Sequence, residues 1–499
     1  MPTPVPLPQD PDPGQLRRRA RELSRAGRAG DAGALELVAR WAPDRAGGDV
    51  PLNLAQLVLA RMHGFDGWPP LVRHVETVLR WTWVPPTGDG PMGADPVDDF
   101  LSLACLRYDG DDPVRAQRAA ALLAAHPGVG AASVHAAAAT ADVEALARLA
   151  GPGTVDAEGG PNRWPPLMYL AYARHDPGID VAAVVEAATI LLDRGADPDA
   201  GRLWHGLPSP FTVLTGVFGE GEGGPVAQPR HPAEQPLARL LLERGADPND
   251  AQTLYNRMFG ADDSHLELLF AHGLGSGDGG VWRARLGHAM PTPAAMLADQ
   301  LDWAVLHGMV ARVELLARNG VAIRGGRWLA ATSVAGTAAR LGYPEIVEVL
   351  VAHGAARPEL TPVEALLAAA LSGDAAAVAA APDDLRAQVV ADRAGVIVVA
   401  AADGRRRGVE LLLDLGVPVD TRGRGDAAGG ERWHTALHEA AFRGDEAMAT
   451  LLLDRGADPA VRDARFDATP AGWAAHAGHT RLAAVLAGRE KGAGPRGPM

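Results

Sequence analysis

Three stretches of this chain close on the same run of residues. They read Leu191-Leu192-Asp193-Arg194-Gly195-Ala196-Asp197-Pro198, Leu241-Leu242-Glu243-Arg244-Gly245-Ala246-Asp247-Pro248 and Leu452-Leu453-Asp454-Arg455-Gly456-Ala457-Asp458-Pro459. Looser copies end at Gly273, Gly320, Gly354 and Gly416. Paired leucines bury one helix face, Arg sits near the negative helix end, and Gly adopts the left-handed cap. A proline three residues beyond the Gly stops the helix. A small unit repeated in this way buries its apolar face only against its neighbours, so an all-α solenoid is expected.

The first half of the unit is clearest at Thr435-Ala436-Leu437-His438-Glu439-Ala440-Ala441, which leads through Gly444 to Leu452 and Gly456. Thr435 suits a helix N-cap, and Ala440 and Ala441 allow two helices to approach closely. Residues 435–458 resemble an ankyrin repeat, with one change in its Thr-Pro-Leu-His box. The resemblance implies helix-turn-helix units with projecting finger loops, and a histidine at 438 that ties adjacent repeats by hydrogen bonds. Cap glycines lie 50, 28, 47, 34, 62 and 40 residues apart. Ankyrin units run about 33 residues, so the two long gaps near 50 imply insertions, placed at 219–236 and 274–294. Trp164-Pro165-Pro166-Leu167 and Thr469-Pro470-Ala471-Gly472 keep only part of the box. About nine or ten degenerate units are expected between 131 and 487.

Ahead of the array, residues 15–82 read as a helical module. Gln56–Leu71, with Gly64-Phe65 and Trp68-Pro69, resembles a module often found before ankyrin arrays in bacterial proteins, which implies that Phe65 and Trp68 are core. Residues 1–13 are a Pro-rich tail expected to be disordered, and 84–96 a linker. Residues 97–130 form a helical pair leading into the array, and 488–499 are a second disordered tail.

Charge and composition narrow the function classes. A net charge of −14 supplies poorly the clustered cations that nucleic-acid binding needs. Arg17, Arg18, Arg19, Arg21, Arg25 and Arg28 crowd one early helix, but Glu22, Asp31 and Glu36 follow, and a solvated face is expected. The single cysteine, Cys105, suits a reducing compartment. No apolar run is long enough to span a membrane and no signal segment is visible, so a cytoplasmic location is expected.

Catalytic patterns are weak. His434 and His438 stand beside Glu439, but a zincin needs His-Glu-x-x-His in that order. His476 and His479 flank the turn glycine Gly478, and Gly219-Glu220-Gly221-Glu222-Gly223-Gly224 is too acidic to cradle phosphate. Cys105 lies in an apolar helix. No catalytic residue, metal, cofactor or small-molecule substrate is expected.

One pattern stands out. Tryptophans follow arginines in the loops entering several units, as Arg163-Trp164, Arg202-Leu203-Trp204, Arg327-Trp328 and Arg432-Trp433. Trp and Arg dominate interface hot spots. Arg163, Trp164, Trp204, Arg327, Trp328, Arg432 and Trp433 are therefore the expected partner-binding residues of a non-catalytic protein-interaction scaffold. Two alternatives stay open: an acidic inhibitor or immunity-type partner of a basic protein, and an enzyme with its site in the irregular insertions.

Overall fold

The computed structural model describes residues 4–8, 11–86, 88, 93, 95–329, 332–423 and 432–492. The last residues of the expected carboxyl tail, and parts of the Pro-rich tail and linker, lie outside this range. The chain divides into two units, Met1–Met296 and Leu297–Met499, so the array expected over 131–487 runs through the division.

The first unit opens with helices Pro13–Arg28, Ala32–Trp41, Leu52–Met62 and Trp68–Trp81. Asp12 and Asp31 cap the first two by accepting from Gly14 N–H and Ala34 N–H. Ala20, Leu23, Val38, Trp41, Leu54 and Val58 form their core, and all six early arginines face solvent. Phe65 is buried against Leu16, Leu71 and Val75, while Trp68 is half-buried beside it. The tail differs from expectation at residues 4–8. Val5 N–H donates to Met62 O at 2.8 Å, and its carbonyl meets His63 Nδ1 at 2.8 Å, so this stretch pairs with the end of helix Leu52–Met62.

Helices Pro96–Ala104 and Pro113–Ala125 lead into four helix pairs. These are Val134–Ala139 with Val143–Leu149, Pro166–Tyr172 with Val181–Asp193, Val213–Phe218 with Glu234–Glu243, and Ala251–Arg257 with Ser264–Ala271. Each first helix contacts the next first helix, and each second helix the next second helix. Between the second and third pairs, strands Gly201–Trp204 and Pro210–Thr212 form an antiparallel hairpin. Strand Thr82–Trp83 adds to its other edge in parallel, with Trp83 opposite Trp204.

Both expected insertions are ordered. Glu220, in the first, accepts from Arg230 at 2.5 Å, while the buried Arg257 reaches Glu234 at 2.7 Å and Asp262 at 2.8 Å. The second contains helix Gly280–Leu286, which packs on helix Trp68–Trp81; Trp282 meets Trp81 at 5.4 Å and His288 meets Phe65 at 4.5 Å.

A side-chain latch recurs between repeats. Asp156 accepts from Asp197 N–H (3.1 Å) and Asp199 from Asp247 N–H (2.8 Å). Asn249 accepts from Gly275 N–H (2.8 Å) and Asp420 from Asp458 N–H (3.1 Å). In the last three the acceptor stands four residues past one cap glycine, and the donor two past the next.

The second unit continues the pattern. Helix Pro293–Leu306 begins just before the division and pairs in sequence with Val310–Arg318. Then come Val334–Arg340 with Pro344–Ala352, Pro362–Ser372 with Ala375–Ala379, Val396–Ala402 with Arg406–Asp414, Ala436–Arg443 with Glu446–Asp454, and Pro470–His476 with Thr480–Gly492. An extra helix, Asp383–Arg393, fills the long gap between Gly354 and Gly416. Ala400, Ala440, Ala441 and Ala474 are fully or almost fully buried among Ile397, Leu412, Met448, Leu452 and Leu486, so the small side chains set the close helix spacing. Helix Thr480–Gly492 runs past the expected end of the array at 487. Among the described residues, no helix is long and apolar enough to cross a membrane.

Candidate functional site

The site is built where two finger loops of the second unit meet. Strands Arg422–Gly423 and His434–Thr435 pair antiparallel, and Trp433 N–H donates to Gly423 O at 3.1 Å. The following loop ties on through Ala464 N–H, which donates to Trp433 O at 2.8 Å. Its tip is organised by the buried Asp463, whose carboxylate accepts from the N–H groups of Phe466 (2.6 Å), Arg465 (2.8 Å) and Ala468 (3.1 Å). The Trp473 indole N–H adds a fourth bond at 3.0 Å. Burial pushes this carboxyl up, but the four donors outweigh it and hold it below the ordinary carboxylate range.

Asp463 thereby holds both Phe466 and Trp473 beside Trp433. The Trp433 ring lies 5.6 Å from Phe466 and 5.3 Å from Trp473, and Phe442 meets Trp473 edge-on at 6.0 Å. Phe466 is 70% exposed and Phe442 48%, far more than large apolar side chains at scaffold positions. These rings, with His434, Glu439, Arg465, Ala468, Gly472 and His476, line a cavity of about 580 Å³, within the size range of ligand pockets. Glu439 accepts from His434 Nε2 at 2.6 Å. The Arg465 guanidinium lies 4.7 Å from the Trp433 ring centre.

A second hollow of about 780 Å³ shares Glu439 and Phe442 with this pocket. Its walls are the turns between paired helices: His307 and Gly308, Gly342 to Glu345, Leu371 and Ser372, Ala402, Asp403 and Arg405, and Arg443. At Gly308, φ is +66° and a Cβ would come within 2.3 Å of the Tyr343 ring, so the turn needs glycine to seat that tyrosine.

The expected partner-binding residues fall into different environments. Trp433 lines the aromatic pocket, and Arg432 beside it is exposed. Trp328 is 40% exposed, with the Arg327 guanidinium 4.5 Å over its ring and Trp303 at 5.8 Å. Asp302 anchors its loop by accepting from Trp328 N–H and Leu329 N–H, while Asp299 holds Arg327 at 2.8 Å. Trp204 is half-buried and donates to Arg107 O at 3.2 Å. Trp164 requires a correction: it is only 1% exposed, enclosed by Trp83, Tyr169 and Tyr172, and no partner can reach it. Arg163 beside it remains exposed.

Phe442, Phe466 and Trp473 are absent from the expected set. Their signal was density: the chain has only eight Phe and eleven Trp, and four of these rings fall between 433 and 473.

His438 bridges two repeats. The Thr435 hydroxyl donates to His438 Nδ1 at 2.9 Å, and Nε2 donates to Ala468 O of the next repeat at 3.2 Å. Burial is the main cause that lowers the His438 pKa to about 4, against the hydrogen bond to Ala468. Cys105 is buried, and burial raises its thiol pKa to about 12. Among the described residues, no group of three or more His, Cys, Asp or Glu is arranged to hold a metal ion.

Helix pairs stacked face to face, finger loops between them and a histidine bridge define a helical repeat protein. Residues 432–464, which carry both the bridge and half of the aromatic pocket, match the ankyrin repeat family model. Over those residues the chain carries an ankyrin repeat. No curated protein matches it. Among solved structures, the human ASB11 ankyrin repeat domain is 25% identical, over 49% of this chain and 99% of its own, with a TM-score of 0.23.

Proposed function

We propose that the second unit is a non-catalytic recognition module that binds another polypeptide along the helix-turn groove ending in the aromatic pocket. Ankyrin repeats generally mediate protein–protein interaction. The observation that carries the reading is the sharing of Glu439 and Phe442 by the groove and the pocket, beside the exposed ring of Phe466. An extended segment can lie across the turns and place one side chain among the rings. Trp433, with the exposed Arg432 beside it, belongs to this reading, whereas Arg327 and Trp328 line neither the groove nor the pocket, and Arg163 and Trp204 lie in the first unit.

The acidic-receptor alternative rests on the chain as a whole, whose charge of −14 favours a basic partner. An enzyme in the insertions is disfavoured: the carboxylates of Glu220, Glu234 and Asp262 are engaged by Arg230 and Arg257. A cytoplasmic setting is supported by the lone, buried Cys105, and a bacterial origin by the resemblance of residues 56–71.

The test is site-specific photocrosslinking in the full chain. Crosslinkers at Phe466 and Phe442 should capture one common polypeptide, and a crosslinker at the exposed Val485 should not. Equal capture at all three positions would reject the groove as the binding face.

A further inference from the structure

Resting on the groove reading, we infer that the aromatic pocket takes the guanidinium of an arginine supplied by a basic partner segment. The pocket presents Trp433, Trp473, Phe442 and Phe466 around one opening, and Glu439 lines the same wall. Aromatic faces are negative at the ring centre, and a cation within about 6 Å is attracted to them, with Trp the strongest acceptor. A planar guanidinium also stacks on such rings, which an ammonium does not.

The protein already makes this contact once. Arg465, on the exposed finger tip, lies 4.7 Å from the Trp433 ring centre. The same ring is therefore compatible with a guanidinium, and the exposed rings of Phe442 and Phe466 border the same cavity. The carboxylate of Glu439 supplies the anion, while its contact with His434 Nε2 at 2.6 Å fixes its position.

The alternative occupants predict different behaviour at Arg465. An acidic segment would pair with Arg465 and lose affinity when it is removed. A purely apolar side chain would be indifferent to charge. An arginine is repelled by Arg465 and competes with it for Trp433, so removing it must strengthen binding.

The experiment uses the full chain with indole-labelled tryptophans and three peptides: acetyl-(Gly-Arg)₃-Gly-amide, its citrulline counterpart and its glutamate counterpart. The arginine peptide should shift the Trp433 and Trp473 indole signals saturably. The citrulline peptide, equal in shape but uncharged, should bind roughly threefold to thirtyfold more weakly. Arg465→Gln should tighten arginine binding, while Glu439→Gln and Phe466→Ala should weaken it. Phe466→Ala removes a ring that is mostly in solvent, so folding is preserved and that arm stays interpretable. Equal binding of arginine and citrulline peptides, preference for glutamate, weaker binding in Arg465→Gln, or no indole shift at millimolar peptide would each overturn the inference. Crosslinking from Phe466 reports separately on the groove: if it captures a partner while the arginine peptide fails, the groove stands and the guanidinium pocket falls.

Discussion

The carboxylate of Asp199 accepts the backbone N–H of Asp247 at 2.8 Å, joining two successive repeats of the first unit. Burial is the main cause that lifts the Asp199 pKa from the ordinary 3.8 to about 6, with Asp197, Asp247 and Asp250 adding repulsion against the hydrogen bond from Asp247. The repeats are thus latched by an acid that resists ionisation.

Its pH dependence follows from the sign of that shift. A raised folded-state pKa means that the native protein holds its proton more tightly than the unfolded chain. The contribution is fully present below about pH 4 and lost as pH rises through 6, on the order of 3 kcal/mol in total. Asp199→Asn keeps an acceptor oxygen, as Asn249 does at the equivalent place. Denaturant unfolding of the first unit should show a flatter stability profile between pH 4 and 6 in this variant. An unchanged slope would mean that Asp199 does not titrate in this window.

His438 should give the opposite slope in the second unit. Its pKa is depressed to about 4, so the neutral bridge to Ala468 contributes fully above pH 6.5 and is lost as pH falls toward 4. Histidine titration by NMR, run alongside unfolding, should place its midpoint well below the ordinary 6.5.

Leu452 is fully buried in the core of the second unit. Leu452→Ala should cost about 2–5 kcal/mol, read as a lower urea midpoint at an unchanged slope.

The two tryptophans Trp164 and Trp328 separate scaffold from surface. Trp164→Ala should destabilise its unit by about 3–5 kcal/mol. Trp328→Ala should stay within roughly 1 kcal/mol, because its ring is substantially solvent-exposed. Thermal melts of the two variants decide the matter, and similar losses would contradict the exposures described.

What could be read from residues alone follows from which interactions are local. The Leu-Leu and Gly-cap runs and the Thr435–His438 box are short-range signals, and their helices form where expected. The fate of Trp164 was not legible, because Trp83, which covers it, is 81 residues away and arrives on a strand that nothing in Thr82-Trp83-Val84 announces. The aromatic pocket was half legible. Trp433 belongs to a recurrent pattern, but Phe466 reaches it only because Asp463 folds the next finger back. The latch was hidden in plain sight: in three of its four instances the acceptor, Asp or Asn, stands four residues past a cap glycine, a regularity masked by the more prominent Gly-Ala-Asp-Pro run.

The pairing of Thr82–Trp83 with Gly201–Trp204 makes the amino-terminal helices a stopper for the hairpin they touch. Cutting the chain after residue 83 would uncork an unpaired strand flank and strip one wall from Trp164, and such flanks recruit their own kind. A shortened protein should therefore clump rather than stay dispersed, and the module ahead of the repeats earns its place as a guard against self-association.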